Sequence, residues 1–249
     1  MSPALRVATW NVRNGLALDG RSSWPFRRRT AAATLSALDA DVIGLQEVYG
    51  WQLRSLRRAL PRHVAIGAGR DRDGGGERCM LLVDPSIRVV RHRTLWCSST
   101  PTLPGSLLPG ATHPRVVTLA ELELGPSGVR VGIVVAHLDQ RSEANRLRSV
   151  GMLVGWLDEA IPWVVLGDLN AVDGSPTLRC LEAAGFASVL PAGAGGTAHA
   201  FSGRVDGARI DHVLVRGVRH VGDARILHLR PGGRLPSDHW PIVADLELD

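Results

Sequence analysis

The chain has 249 residues, 45% of them hydrophobic and 21% charged, a composition that excludes a disordered polypeptide and suits a folded globular protein. No apolar run is long enough to span a bilayer, and residues 1–10 lack the apolar core of a signal peptide, so we expect a cytoplasmic protein without a transmembrane segment. The formal net charge is +5, and all 29 basic residues are arginine, which excludes Schiff-base and Walker-type lysine chemistry. Three widely separated cysteines, Cys79, Cys97 and Cys180, argue against a disulfide framework and a thiolate metal site.

Hydrophobic periodicity and turn residues predict a strand-rich chain. Strands are expected at residues 5–11, 41–46, 78–83, 87–95, 116–124, 129–136, 163–166, 210–215, 224–229 and 242–246. Helices are expected at residues 25–38, 50–60, 142–159 and 175–184. Strands outnumber helices in both halves of the chain, and the sequence shows no internal repeat or long linker. We therefore predict a single domain, residues 1–249, of the α/β (α+β) class, in which two sheets pack face to face with helices outside.

Polar residues recur at the ends of the apolar strands. The set comprises Asn11, Glu47, His137, Asp168, Asn170, Asp211, His212, Asp238 and His239. Taken singly, each carboxylate has an ordinary explanation as a turn former or helix cap, and each histidine as a surface or core residue. Because strand ends deliver side chains to one rim of a sheet, the whole set predicts a site that holds a hard cation and a phosphate group.

The order of these residues resembles that of a known superfamily. Six segments carry the resemblance: residues 9–13 (TWNVR), 46–48 (QEV), 137–139 (HLD), 167–170 (GDLN), 209–212 (RIDH) and 236–241 (PSDHWP). They resemble the successive motifs of the endonuclease/exonuclease/phosphatase superfamily, which includes deoxyribonucleases, repair nucleases, inositol-polyphosphate phosphatases and neutral sphingomyelinases. Residues 95–101, 104–106, 114–116 and 196–201 are similar to a bacterial branch that is usually named only at superfamily level. The resemblance covers essentially the whole chain and implies a four-layer αββα sandwich of two mixed β-sheets flanked by helices.

The resemblance also implies a divalent-metal site built from oxygen ligands, with Mg²⁺ or Mn²⁺ as the cofactor. Glu47 resembles the principal metal carboxylate, and Asp238 resembles a further acid on the metal side. Asn11 resembles the amide that helps to place the metal or the phosphate. Magnesium binds oxygen ligands and retains several waters, so one or two carboxylates suffice to hold it. Such a cation would offset the negative charge of a phosphate ester during hydrolysis.

Other positions resemble the residues that contact water and phosphate. Asp168 resembles the residue that orients or deprotonates the attacking water, and Asn170 resembles its phosphate-contacting neighbour. His239 resembles the histidine on the scissile phosphate, oriented by Asp211, and His137 resembles a second phosphate histidine. A histidine held by a carboxylate keeps one tautomer or stays charged, and it can donate to a phosphoryl oxygen.

The resemblance assigns roles to two further residues, which lie in predicted loop regions. Glu77 matches the carboxylate that, in the deoxyribonuclease branch, pairs with the histidine at the position of His137. Arg115 matches a phosphate-contacting arginine of that branch. The nuclease branches also carry a phosphate-contacting tyrosine, whereas the one tyrosine of this chain, Tyr49, does not lie near Glu77 in the sequence.

Two Asp–His pairs, Asp211–His212 and Asp238–His239, could each supply the catalytic histidine. The family pattern favours His239, with Asp211 reaching across to its ring. His212 directly follows Asp211 on a predicted strand and is therefore expected to point to the opposite face.

We therefore predict a divalent-metal-dependent phosphoesterase that hydrolyses a phosphodiester, as a nuclease does, or a related phosphate ester. A lipid, inositol or small-metabolite phosphatase is the alternative, and a catalytically silent binding module on the same fold is disfavoured by the complete set of acids and histidines. The partner is expected to be a phosphate-ester substrate, nucleic acid included, with no obligate protein partner. The arginine cluster at residues 27–29 favours a solvated helix face over a nucleic-acid contact.

Overall fold

The secondary structure comes from a computed structural model that describes residues 4–126 and 128–248, so both ends of the predicted 1–249 domain fall outside the described residues. Within these ranges the strands are β1 (Ala4–Asn11), β2 (Val42–Val48), β3 (Val64–Ile66), β4 (Arg78–Val83), β5 (Arg88–Trp96), β6 (Val116–Leu124), β7 (Val129–His137), β8 (Trp163–Asp168), β9 (Ala187–Ser188), β10 (Asp211–Arg216), β11 (His220–Ile226) and β12 (Ile242–Glu247). The α-helices in the same ranges are α1 (Trp24–Ala37), α2 (Gly50–Leu56), α3 (Glu143–Gly155) and α4 (Pro176–Ala183). None of these described helices is both long and apolar enough to cross a bilayer.

The strands form two mixed sheets. The first has the order β11-β12-β1-β2-β4-β3, and the second has the order β5-β6-β7-β8-β10-β9. Among the described strands, β1–β2 and β7–β8 are the parallel pairs, and the other neighbours are antiparallel. Helix α1 connects the first parallel pair and α3 connects the second, because parallel neighbours need a crossover connection. The two sheets therefore share one topology, although the sequence shows no repeat.

Side-chain alternation gives each sheet one face toward the other sheet and one face toward helices. Val7 of β1, Ile133 of β7 and Leu166 of β8 belong to a single apolar cluster between the sheets. The outer face of the first sheet packs against α1 and α2, and the outer face of the second packs against α3 and α4. The predicted four-layer αββα sandwich of two mixed sheets is confirmed.

The predicted elements differ from the structure at short strands and at helix ends. The sequence pattern does not predict β3 and β9, because strands of three and two residues are too short to show an alternation of apolar and polar side chains. The helix expected at 142–159 ends at Gly155. Beyond it the backbone carbonyl of Asp158 accepts a hydrogen bond from the indole N–H of Trp163 at 2.7 Å, a contact that lies outside the helix.

Gly132 of β7 lies against the ring of Trp163, its Cα partner on β8. A Cβ atom at position 132 would stand 2.2 Å from Cε3 of that ring. We expect Gly132→Ala to lower the free energy of unfolding by about 2 kcal/mol, because a buried ring must move within a packed layer. The measurement is urea denaturation.

The matched control is Gly151→Ala on α3, whose added methyl group meets no atom within 4 Å. This variant should be neutral or more stable by up to about 1 kcal/mol. Equal stability of the two variants would contradict the close packing of Gly132 on Trp163.

Candidate active site

Three of the predicted site residues lie side by side on neighbouring strands of the second sheet. His137 ends β7, Asp168 ends β8 and Asp211 begins β10. The register makes Asp168 the direct Cα partner of both His137 and Asp211. The residues two positions away on each strand belong to the core between the sheets: Val135, Leu166 and Val213. Alternation therefore directs all three polar side chains to the space between the sheets, at the rim.

The first sheet contributes Asn11 and Glu47 from its own parallel pair. Asn11 ends β1 on the inter-sheet face, the face of Val7. Strict alternation would direct Glu47 to the helix-covered face, with Leu45. Instead, the β2–β4 register shifts between Leu45 and Val48, and Glu47 adopts the left-handed region with a φ of 61°. This bulge turns the carboxylate to the rim, at a conformational cost of about 1–3 kcal/mol that other contacts must offset.

The side chain of Asn11 joins the two sheets at the site. Its Nδ2 donates to Oδ2 of Asp168 at 2.9 Å and to Oε1 of Glu47 at 3.1 Å. Its Oδ1 accepts from the backbone N–H of Arg13 at 2.9 Å. The backbone N–H of Asn14 donates to the other oxygen of Glu47 at 2.8 Å. The amide therefore holds one carboxylate of each sheet in place through charge-assisted hydrogen bonds.

Asp168 is buried among ionisable groups. Burial and the carboxylate of Asp211 raise its pKa to about 7, against the opposing effects of His239 and the hydrogen bond from Asn11. Its Oδ2 lies 3.7 Å from Nε2 of His137 and 4.0 Å from Nδ1 of His239. A carboxylate with a pKa near neutrality, placed between two histidines, is suited to accept a proton from water.

His239 forms a hydrogen-bonded pair with Asp211. Its Nδ1 donates to Oδ2 of Asp211 at 2.8 Å, and both residues are buried. Burial lowers the pKa of His239, but the carboxylates of Asp211, Asp168 and Asp238 outweigh burial and raise it to about 10. The ring is thus a charged imidazolium whose second nitrogen, Nε2, remains a donor.

His137 and His212 differ from His239 in charge and in direction. Burial, with Arg115 and His239 acting in the same sense, lowers the pKa of His137 well below the usual value, so this ring is neutral. His212 points to the opposite face of β10, where its Nε2 lies 2.8 Å from the carbonyl oxygen of Ala171. His212 is therefore separated from the rim by the strand itself.

Asp238 and Asn170 complete the rim. Oδ1 of Asp238 accepts from the hydroxyl of Ser237 at 3.2 Å, and its Oδ2 lies 3.5 Å from Nε of Arg13. Burial raises the pKa of Asp238. Asn170 adopts the left-handed region with a φ of 49° and donates from Nδ2 to the carbonyl oxygen of Leu138 at 3.1 Å. Asn170 therefore ties the segment after β8 to the segment after β7.

Glu77 pairs with an arginine, not with a histidine as the resemblance implies. Its Oε2 lies 2.5 Å from Nη1 of Arg70. Burial and the carboxylate of Glu47 raise the pKa of Glu77 to about 7, while Arg70 and Arg115 oppose that rise. Arg115 lines the same cleft as Glu47, Glu77 and His137, and its guanidinium forms no hydrogen bond or ion pair with a described residue. That guanidinium is therefore available to a phosphate group in this cleft.

Some residues that shape the site have no counterpart among the sequence-based candidates. Thr197 accepts the backbone N–H groups of Ile210 and Asp211, both at 3.2 Å, and so fixes the start of β10. Tyr49 is close enough to Glu77 that this carboxylate, after burial, raises the pKa of the phenol. Thr197 lies within one of the segments that resemble the bacterial branch, which could have indicated it. Tyr49 is distant from Glu77 in the sequence, and only the folded chain brings the two side chains together.

Arg27 is buried, which corrects the prediction of a solvated helix face for residues 27–29. It is 2% exposed, and burial lowers its pKa to about 10. Its Nη1 donates to the carbonyl oxygens of Val12 at 2.6 Å and Pro236 at 3.0 Å, and its Nη2 donates to that of Arg13 at 2.7 Å. Three consecutive helical residues point in three directions, so the sequence cannot tell which arginine turns inward. Arg27 clamps the loop after β1 to the loop before β12.

The oxygen ligands at the rim fit a hard divalent cation. Glu47 and Asp238 are close enough that the carboxylate of Glu47 adds to the effect of burial in raising the pKa of Asp238. A cation between them would relieve this repulsion, and both residues keep free lone pairs. Oδ1 of Asn11 accepts a hydrogen bond from the backbone N–H of Arg13, and Nδ2 of Asn11 donates to Glu47. In this arrangement Asn11 therefore positions Glu47. Its direct ligation of the metal stays a prediction.

A second grouping of ligand atoms is better explained by hydrogen bonding. Asp168, Asp211 and His239 each offer an atom within 4.8 Å of the others, a spacing that would admit a cation. The hydrogen bond between His239 and Asp211 already uses one atom of each residue. An imidazolium in that position would also repel a cation, so the fit favours the Glu47–Asp238 side of the rim.

The sandwich, its parallel pairs and the acids and histidines at one rim define a class of protein. The family model described as "Endonuclease/Exonuclease/phosphatase family" matches residues 8–239. The matched range runs from β1 to the catalytic histidine candidate His239. This chain belongs to the endonuclease/exonuclease/phosphatase family, whose members are hydrolases that act on phosphoester bonds.

Solved structures extend the similarity to nearly the whole chain. An endonuclease/exonuclease/phosphatase from Bacteroides vulgatus has a TM-score of 0.91 at 28% identity, covering 99% of this chain and 100% of that chain. A mannosyl-6-phosphatase from Bacteroides thetaiotaomicron has a TM-score of 0.87 at 25% identity, covering 97% and 99%. A truncated TDP2 from Caenorhabditis elegans shares the fold with a TM-score of 0.73 at 19% identity, covering 98% and 97%. No curated protein sequence matches this chain.

We expect Arg27→Met to lower the free energy of unfolding by about 3 kcal/mol, because four backbone carbonyl oxygens, that of Ser22 included, lose their charged donor. The measurement is urea denaturation, with Arg28→Met as the control. Arg28 is exposed on the same helix, so its replacement should change stability by no more than about 0.5 kcal/mol. If the two variants are equally stable, the clamp contributes nothing.

Proposed function

We propose that this protein is a divalent-metal-dependent hydrolase that cleaves a phosphodiester bond by attack of a water molecule. The observation that carries the proposal is the position of Asp168, whose Oδ2 lies within 4.0 Å of side-chain nitrogens of Asn11, His137 and His239. Asp168, a base with a pKa of about 7, is thereby surrounded by groups that can bind the phosphate of the substrate.

The protonation state of each residue determines its role in the reaction. Asp168 accepts the proton of the attacking water. His239, kept protonated by Asp211, donates from Nε2 to a phosphoryl oxygen and stabilises the charge that grows in the transition state. Neutral His137 and the available guanidinium of Arg115 bind other phosphate oxygens.

Glu47 and Asp238 are the residues that would hold the cation, Mg²⁺ or Mn²⁺, on the first-sheet side of the rim. When bound, a divalent cation offsets the negative charge of a phosphate ester. Asn11 keeps Glu47 directed to the rim through the Nδ2–Oε1 hydrogen bond. The left-handed backbone conformation of Glu47 supports this assignment, because strained conformations of this kind cluster at functional sites.

A phosphodiester is favoured because arginines flank the rim on two sides. Arg115 lies on the β6 side, next to His137, whereas Arg13 lies on the first-sheet side, with its Nε 3.5 Å from Oδ2 of Asp238. An anionic substrate that extends in both directions from the scissile phosphate would contact both groups. A diester has substituents on both sides of its phosphorus atom, as this arrangement requires.

A phosphomonoesterase acting on a sugar phosphate or another small metabolite is the second candidate. It is supported by the similarity to the mannosyl-6-phosphatase, which covers 97% of this chain. The same acid, histidines and arginine would serve a monoester. A catalytically silent module is disfavoured, because such a module needs neither the Asp168 environment nor the His239–Asp211 pair.

The two candidates are separated by a pair of reporter esters with the same leaving group, p-nitrophenyl phosphate and bis(p-nitrophenyl) phosphate, in the presence of Mg²⁺. We expect the larger rate enhancement over the uncatalysed reaction for the diester. A larger enhancement for the monoester would replace the first candidate with the second. Hydrolysis of neither ester would count against both.

Chelation of divalent cations should abolish turnover. Glu47→Gln should raise the Mg²⁺ concentration for half-maximal activity by roughly tenfold or more, because a charged oxygen ligand is lost. The measurement is the rate as a function of free Mg²⁺, with Glu159→Gln, an exposed residue, as the control. Full turnover in excess chelator would rule out the metal dependence.

His239→Ala should reduce kcat by a factor on the order of 10²–10⁴, because the donor to the phosphoryl oxygen is removed. Asp211→Ala should act in the same direction, and the double variant should lose less than the product of the two single losses, since both residues act as one unit. His212→Ala should affect stability more than kcat, because His212 faces Ala171 on the far side of β10. Rates of the four variants on one ester check this, with folding measured separately by circular dichroism. A crippled His212→Ala beside a nearly normal His239→Ala would overturn the assignment.

A further inference from the structure

A cleft of about 520 Å³ lies beside the candidate active site, where the loop after β1 meets the loop between β11 and β12. Four arginines are among the residues that line it: Arg21, Arg27, Arg230 and Arg234. None of the described residues that line this cleft carries a carboxylate. A cleft whose lining carries positive charge and no carboxylate is suited to bind an anion.

Arg27 connects this arginine cleft to the candidate active site. Its guanidinium bonds to the carbonyl oxygen of Val12, the neighbour of Asn11, and to that of Pro236, two residues before Asp238. Arg27 therefore joins the wall of the cleft to the two backbone segments that lie next to Asn11 and Asp238.

The cleft combines fixed and available guanidinium groups. Arg230 donates to the carbonyl oxygen of Gly203 at 2.6 Å, and its guanidinium carbon lies 5.5 Å from the ring centroid of Trp240, the residue after His239. Arg21 and Arg234 form no side-chain hydrogen bond or ion pair with a described residue. The wall is thus held in place while two charges remain available for a ligand.

We propose that the arginine cleft binds a second phosphate group of the substrate, distinct from the phosphate that is hydrolysed. This inference rests on the proposed function, because it assumes that the scissile phosphate occupies the Asp168 site. Guanidinium groups match phosphate oxygens in geometry and charge, and the volume of the cleft is in the range of ordinary ligand sites. Two sources share this chemistry: the next phosphate of a nucleic-acid strand, and a second phosphate of a small metabolite.

Phe26 distinguishes the two sources. Its side chain also lines the cleft and is 60% exposed, so its ring is accessible to a ligand. A nucleobase next to the bound phosphate would stack on this ring, whereas a small bisphosphorylated metabolite has no base to place there.

The test measures binding separately from turnover. Asp168→Asn protein, expected to be inactive, is titrated with a fluorescein-labelled single-stranded octanucleotide, and binding is followed by fluorescence anisotropy. Inorganic triphosphate is then used as a competitor. The Arg21→Ala/Arg234→Ala double variant is compared with Arg54→Ala/Arg58→Ala, which removes the same charge from exposed positions outside the cleft.

We expect the cleft variant to weaken binding of the octanucleotide, the triphosphate or both by about tenfold or more, and the control variant to change it by less than about twofold. The slope of log Kd against log salt should also fall for the cleft variant. Phe26→Ala should weaken only the octanucleotide if a nucleic-acid strand is the source, and neither probe if a metabolite is.

Equal weakening by the cleft and control variants would overturn the inference, because net charge alone would then explain binding. Failure of both probes to bind at millimolar concentrations would overturn it as well. A parallel assay with bis(p-nitrophenyl) phosphate and otherwise unaltered protein keeps the two proposals apart. The cleft variant should retain the kcat of the unaltered protein on this single-phosphate ester. If that protein hydrolyses no ester but the cleft effect persists, the proposed function fails while the anion site stands.

Discussion

The burial of Asp168 at the junction of two sheets is the constraint on which the rest of the site depends. An ionised carboxylate in this position loses its hydration, and its neighbour Asp211 adds a like charge, so the pKa rises to about 7. The hydrogen bond from Asn11 and the charge of His239 offset part of that cost. These contacts come from β1 in the opposite sheet and from the loop before β12, so the site exists only when both sheets are packed together.

The shared topology of the two sheets explains why the functional groups meet. A parallel pair needs a crossover helix, and its two strands then end side by side at one edge. The pair β1–β2 delivers Asn11 and Glu47 to this edge, and β7–β8 delivers His137 and Asp168. The crossover helix α1 also stabilises the site, because its buried Arg27 joins the loop that follows Asn11 to the loop that carries Asp238.

Two histidines at the rim acquire opposite charges from their surroundings. Carboxylates around His239 keep its ring protonated, whereas burial and nearby cations keep His137 neutral. This difference suits phosphoester hydrolysis, in which one group must neutralise developing charge while another binds without competing for the proton of the attacking water. Membership of the endonuclease/exonuclease/phosphatase family agrees with that chemistry, and the arginine cleft extends the cationic surface beyond a single phosphate.

The sequence by itself determined the features that depend on local alternation and on the order of motifs. These are the longer strands, the helices, the sandwich class and the opposite directions of Asp211 and His212, since neighbours on a strand face opposite sides. Only the tertiary structure decided that a bulge turns Glu47 to the rim, that Glu77 pairs with Arg70, and that Arg27 is buried. Each of these outcomes depends on contacts made in the folded chain, including backbone carbonyls and opposing charges, which a local pattern does not encode.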